Sequence, residues 1–246
     1  MRTDVARRVQ PVVPAERPLD YYLLLPERGA SAPPAAVLVE EFVLAADGTA
    51  VGLDSAGFGG PVEGWWSSAE FCRGMRRDPH LRARVRATTR TAAQEAFDRL
   101  GGGVLADEDT LRGRFRDRHP LGGTAPLRLG PDSAPPGFRE RRVYRVLFAG
   151  ELRPEGLARA LTAWDMTPAA DLAEPDCRIA GTARRTVGDD ELTWDLRRIG
   201  PGVAWCADLT ALLRGASDAV VQPILAELRG VLRAQGLIPV TVERFA

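Results

Sequence analysis

Lysine and asparagine are absent from this 246-residue chain, so its 33 basic residues are all arginine, and isoleucine occurs only four times. A chain without lysine cannot build a P-loop, whose lysine reaches the β- and γ-phosphates, and G-x-G-x-x-G is also missing. These absences fit a GC-rich coding sequence, in which arginine clusters arise partly through composition. Cysteine is scarce. Cys72, Cys177 and Cys206 are scattered, odd in number and outside any C-x-x-C arrangement, which argues against a disulfide framework and predicts buried reduced thiols. Histidine is limited to His80 and His119, neither at metal-ligand spacing, so no metal and no other cofactor is expected. No run reaches the roughly 18 apolar residues of a membrane span, and Met1 to Pro18 lacks the apolar core of a signal peptide. The sequence reads as that of a soluble, cytoplasmic protein with no membrane partner.

Charge is segregated although the total is zero. Residues 1–70 hold five arginines against ten acids, 71–145 hold seventeen against nine, and 146–246 hold eleven against fourteen. A basic middle between acidic flanks can attract an anionic partner or dock against its own flanks.

The pattern predicts an α+β chain. Five prolines and four glycines between His119 and Gly137 interrupt any period, which divides the chain into a module over 1–118, a linker over 119–137 and a second module over 138–246. In the first, Val37–Leu44 and Thr49–Leu53 flank Asp47-Gly48 as a β-hairpin. Three helices are expected to follow. One covers about Val62 to Arg77. A second is capped by Asp78, opens on Pro79 and carries Leu81, Val85, Thr88, Ala92 and Ala96 along one face until Gly101. The third opens on Asp107, Glu108 and Asp109 and closes with Arg116 and Arg118. The second module reads β-α-β-β-β-α-β, a two-layer sandwich whose mainly antiparallel sheet is covered by helices on one face, ferredoxin-like with an extra strand. Parity places Trp194 and Trp205 in its core and leaves Arg178, Thr182, Arg184, Thr193, Asp195 and Arg197 on the open face.

Catalytic signatures are weak. Gly52 to Gly57 has the spacing G-x-x-S-x-G rather than that of a hydrolase elbow, so Ser55 reads as a turn residue. Gly57-Phe58-Gly59-Gly60-Pro61 reads as a flexible turn into a helix rather than a phosphate cradle. Glu40 and Glu41 point to opposite strand faces and make no carboxylate pair. His119 is the one histidine placed to line a cleft.

What remains is Trp66 beside arginines. On a helix, Trp66, Arg73 and Arg77 share a face, and Arg82, Arg86 and Arg90 recur every four residues along the next one. Tryptophan with arginine is the composition of an interface anchor. The expected function is that of a non-catalytic binding or accessory protein that engages an acidic protein partner through Trp66, Arg73, Arg77, Arg82, Arg86 and Arg90. An enzyme acting on an anionic small molecule, with His119 and arginines in a cleft between modules, is the alternative. RNA binding stands behind both, because the open sheet face would carry cations without aromatic stacking platforms.

Overall fold

A computed structural model describes residues 18–27, 32–122, 133–169, 178–200 and 204–245. Its first part is built from strands β1 (Asp20–Leu24), β2 (Ala36–Leu44), β3 (Ala50–Phe58) and β4 (Trp65–Ser67). Helices α1 (Ala69–Arg77) and α2 (Pro79–Ala83), strand β5 (Val85–Thr88), helices α3 (Arg90–Arg99) and α4 (Glu108–Arg112) and strand β6 (Arg118–Pro120) follow. The strands form one antiparallel sheet in the order β4-β3-β2-β1-β5, with β6 also paired to β3. The expected hairpin is present, and Gly48 has the positive φ its turn requires, 91°.

Two helices expected from the sequence are replaced in part by strands. The run 79–99 is divided: after α2, residues Val85–Thr88 pair with β1, and Thr89 then caps α3 by accepting a hydrogen bond from Ala92 N. The apolar spacing fitted a continuous helix. However, Val85 and Ala87 also alternate, and the β-branched Val85, Thr88 and Thr89 suit extended backbone. Residues 62–77 are divided likewise. Gly64 turns the chain with φ 65°, Trp65–Ser67 pair with β3, and helix begins only at Ala69. The glycine-rich run before it therefore leads into a strand, not a helix. Helix α4 ends at Arg112, so Arg116 and Arg118 are not in its last turn, and Arg118 belongs to β6.

The second part follows the expected order more closely: β7 (Glu140–Ala149), α5 (Pro154–Ala163), a short β8 (Thr167–Pro168), β9 (Ile179–Val187), β10 (Asp190–Arg198), β11 (Ala204–Leu213), α6 (Val221–Ala234) and β12 (Ile238–Arg244). Its antiparallel sheet runs β12-β7-β11-β10-β9-β8. Leu157 and Leu161 of α5 and Leu225, Leu228 and Leu232 of α6 join Tyr144, Phe148, Trp194 and Trp205 in one buried cluster. Both tryptophans are core residues, as the alternation required.

Each face of the first sheet is packed. Tyr21, Leu23, Val37, Val39 and Phe58 meet Ala93, Ala96 and Phe97 of α3 and Leu111 of α4. Tyr22, Leu38, Phe42 and Leu53, on the other face, belong to the same buried cluster as the second sheet and its helices. Helix α6 reaches both sheets, since Arg229 and Arg233 on it pair with Asp20 of β1. Of the expected linker, 123–132 lie outside the described residues, and His119 and Pro120 are strand residues of β6. Cys177 also lies outside them. Among the described residues, no helix is long and apolar enough to cross a membrane.

Candidate functional site

Alternation along β4 sends its two tryptophans to opposite sides. Trp65 packs with Phe58 and Phe97, at ring-centroid separations of 5.5 and 5.7 Å. Trp66 lies over Gly57 of the neighbouring strand, so closely that a Cβ there would fall 2.4 Å from the indole Cζ2. Its edge meets Phe71 at 6.3 Å in a T-shaped contact. Trp66 is thus half-buried and held by its surroundings.

From this position Trp66 forms one end of an open depression of about 600 Å³, together with Glu70, Phe71, Arg73, Arg77 and Leu81. Residues 70, 73 and 77 lie along one face of α1 at helical spacing. Arg73 bonds to Glu70 at 2.9 Å, a pair in which the Glu70 side chain is 89% exposed and contributes little rigidity. Arg77 is exposed. The depression combines an apolar floor (Trp66, Phe71, Leu81) with a cationic rim. His119, on β6 beneath α1, feels this rim: its own burial and the charges of Arg73, Arg77 and Arg76 hold its imidazole below the ordinary value. His80, exposed on α2, takes no part.

The remaining candidate arginines are dispersed, because the helix expected to align them is broken. Arg82 on α2 turns inward, donating to the Met75 and Arg76 carbonyls at 3.3 and 3.2 Å. Arg90 on α3 donates to the Tyr21 hydroxyl and to the Ala106 carbonyl, both at 2.6 Å, and so fixes the loop before α4. Arg86 is exposed on β5 and borders a different depression. The structure brings together Trp66, Arg73 and Arg77 and separates Arg82, Arg86 and Arg90 from them.

Much of the basic middle segment is neutralised by the acidic flanks. Arg76 pairs with Glu40, Arg84 with Glu27, Arg112 with Glu41 and Arg118 with Asp54 of the first seventy residues. Arg142 pairs with Asp218 and Arg145 with Asp208 of the last hundred. Glu40 and Glu41 do face opposite sides of β2, each with its own arginine.

One polar stripe escaped sequence reasoning. Asp20, Glu40 and Ser55 lie side by side across β1, β2 and β3, on the inward face, with Arg76, Arg229 and Arg233 above them. Ser55 is therefore a buried strand residue, not a turn residue, and among the described residues its Oγ has no hydrogen-bond partner. Burial raises the Asp20 carboxyl above its ordinary range against the pull of Arg229 and Arg233. Arg76 also donates to the Pro239 and Cys72 carbonyls, both at 2.8 Å, and Arg233 to the Tyr21 carbonyl at 2.6 Å. The stripe fastens α1, α6 and β12 to the first sheet. The signal was present in the sequence, since Glu40 shares parity with Leu38 and Phe42.

The open face of the second sheet is an ionic lattice. Asp208 accepts two bonds from Arg145, at 2.7 and 2.8 Å, and lies 3.3 Å from Arg197, while Thr182 bonds to Asp195. Among the described residues no three His, Cys, Asp or Glu side chains cluster as metal ligands would. Comparisons with protein-family models, curated proteins and solved structures found no match to this chain.

Proposed function

We propose that this protein works by binding, as an accessory component that acts in the cytoplasm and engages an acidic segment of a partner protein through the depression on α1. The observation that carries this reading is the junction of a held tryptophan with Arg73 and Arg77 on one open surface. An acidic segment bearing one apolar side chain complements it: the side chain covers Trp66, Phe71 and Leu81, and the carboxylates meet the rim. The site is smaller than the sequence indicated, with Arg82 and Arg90 serving the fold instead. Cations rather than carboxylates surround His119, which supports anion binding over proton transfer by that residue. For RNA, the second sheet offers arginines largely paired with acids, and its tryptophans face inward. In architecture we read β7 to β12 with α5 and α6 as ferredoxin-like, the meander β9-β10-β11 supplying the extra strand.

A labelled Glu-rich peptide carrying one leucine tests the proposal by stopped-flow binding at several ionic strengths. Arg73→Glu with Arg77→Glu should slow association and flatten its salt dependence, and Trp66→Ala should mainly accelerate dissociation. Affinity unchanged in both variants would overturn the reading.

A further inference from the structure

A second surface lies at the opposite edge of the first sheet, where β5 is the outermost strand. Its register shows which backbone groups point outward. Leu25 N donates to Arg84 O at 2.7 Å, so the Arg84/Leu25 position is a hydrogen-bonded one. Alternation then turns Arg86 and Thr88 toward β1, opposite Leu23 and Tyr21, and turns the N–H and C=O of Val85 and Ala87 away from the sheet. Among the described residues no further strand pairs with β5 and no hydrogen bond reaches those outward groups.

The edge is bordered by a depression of about 520 Å³ lined by Leu23, Arg86, Thr89, Glu95, Arg99 and Arg233, among others. Three cations face one acid there. Arg86 and Arg99 are exposed, and Arg233 is held in place by the Tyr21 and Thr88 carbonyls. We infer that β5 is a strand-addition site, at which an acidic, extended polypeptide segment pairs with the outward N–H and C=O groups of Val85 and Ala87 while its carboxylates meet Arg86 and Arg99.

Charge selects this occupant over a second copy of the chain. In the register that pairs all of these outward groups, with Val85 opposite Ala87, two β5 strands related by a two-fold axis would place Arg86 directly opposite Arg86, in the close, non-hydrogen-bonded position. Acidic side chains at that position turn the repulsion into attraction. The surface is separate from the depression on α1, and the inference does not depend on the reading given for that depression.

The probe is a synthetic peptide of about eight residues alternating Glu and Val, long enough to span a four-residue strand with overhang. Hydrogen exchange measured amide by amide should show the Val85 and Ala87 N–H groups protected about tenfold or more when it binds. The same peptide N-methylated at alternate residues should not bind. Ala87→Pro, which removes an outward N–H at an edge position where proline is tolerated, should abolish binding with an unchanged melting temperature. Arg86→Glu with Arg99→Glu should weaken it at least about tenfold, and Arg73→Glu with Arg77→Glu should leave it unaltered. Any of four results overturns the inference: no binding, binding that leaves Val85 and Ala87 unprotected, equal binding of the N-methylated peptide, or protection that grows with protein concentration alone, which would assign the edge to a second copy. If Ala87→Pro unfolds the protein, the N-methylated peptide decides the question with the unmodified chain.

Discussion

Arg76 and Glu40 meet in a two-point ion pair, Nη2 to Oε1 at 2.6 Å and Nη1 to Oε2 at 3.2 Å, with side chains only 4% and 1% exposed. Burial alone disfavours the Arg76 cation, yet Glu40 more than reverses that effect, so the guanidinium is held more firmly protonated than in water. The pair joins α1 to β2, and the same guanidinium reaches the Pro239 carbonyl of β12.

Breaking this pair from one side strands a buried charge. Glu40→Ala is expected to destabilise the fold by about 3–5 kcal/mol in urea unfolding, and Glu40→Leu combined with Arg76→Met by less than the sum of the two single changes. Additive losses would show that the two groups act independently.

Gly57→Val addresses Trp66 through its floor. A Cβ at 2.4 Å from the indole leaves the ring no room in its present place, so the substitution should cost about 1–3 kcal/mol and change the tryptophan fluorescence of the folded state. Gly57→Val with Trp66→Ala should recover part of that loss in the same unfolding measurement, because the small side chain removes the clash.

His119 should titrate by NMR below its ordinary value of 6.5. Between the depressed value and 6.5 the unfolded chain binds more protons than the folded one, so stability declines as pH falls through that window. His119→Gln should flatten this part of the stability profile. Saturation with the Glu-rich leucine peptide should raise the His119 pKa, since carboxylates beside Arg73 and Arg77 offset the cations that lower it.

Burial pushes the thiols of Cys72 and Cys206 up to about 12. Both should resist iodoacetamide in the folded protein at mildly alkaline pH and react once urea unfolds it, which peptide mapping of the alkylated sites would show. Rapid labelling of either site without denaturant would contradict its burial.

The second half of the chain was legible because each of its strands but the two-residue β8, which the pattern did not announce, carries two or more apolar residues at alternate positions, and glycine or proline marks its turns. Trp194 with Leu192 and Leu196, and Trp205 with Ala207 and Leu209, needed only the two-residue period to be placed. The first half misled where both periods fitted the same residues. Leu81, Val85, Thr88 and Ala92 satisfy a helix, and the choice of strand over 85–88 depends on pairing with β1, some sixty residues earlier, which no local pattern reveals. That one break dispersed Arg82, Arg86 and Arg90. Trp66, Arg73 and Arg77 came together even though their segment begins with a three-residue strand, because α1 alone sets the spacing of the two arginines. The acidic flanks were visible as a charge imbalance, but not which acid each arginine would find.

The placement of α6 between the two sheets bears on how the protein is made. Tyr22, Leu38, Phe42 and Leu53 emerge from the ribosome well before the helix that helps to cover them, which spans residues 221–234. Until that helix appears, the nascent first sheet carries an apolar face and the acids Asp20 and Glu40 without Arg229 and Arg233 beside them, so completion of that layer waits for a segment synthesised well after its own strands.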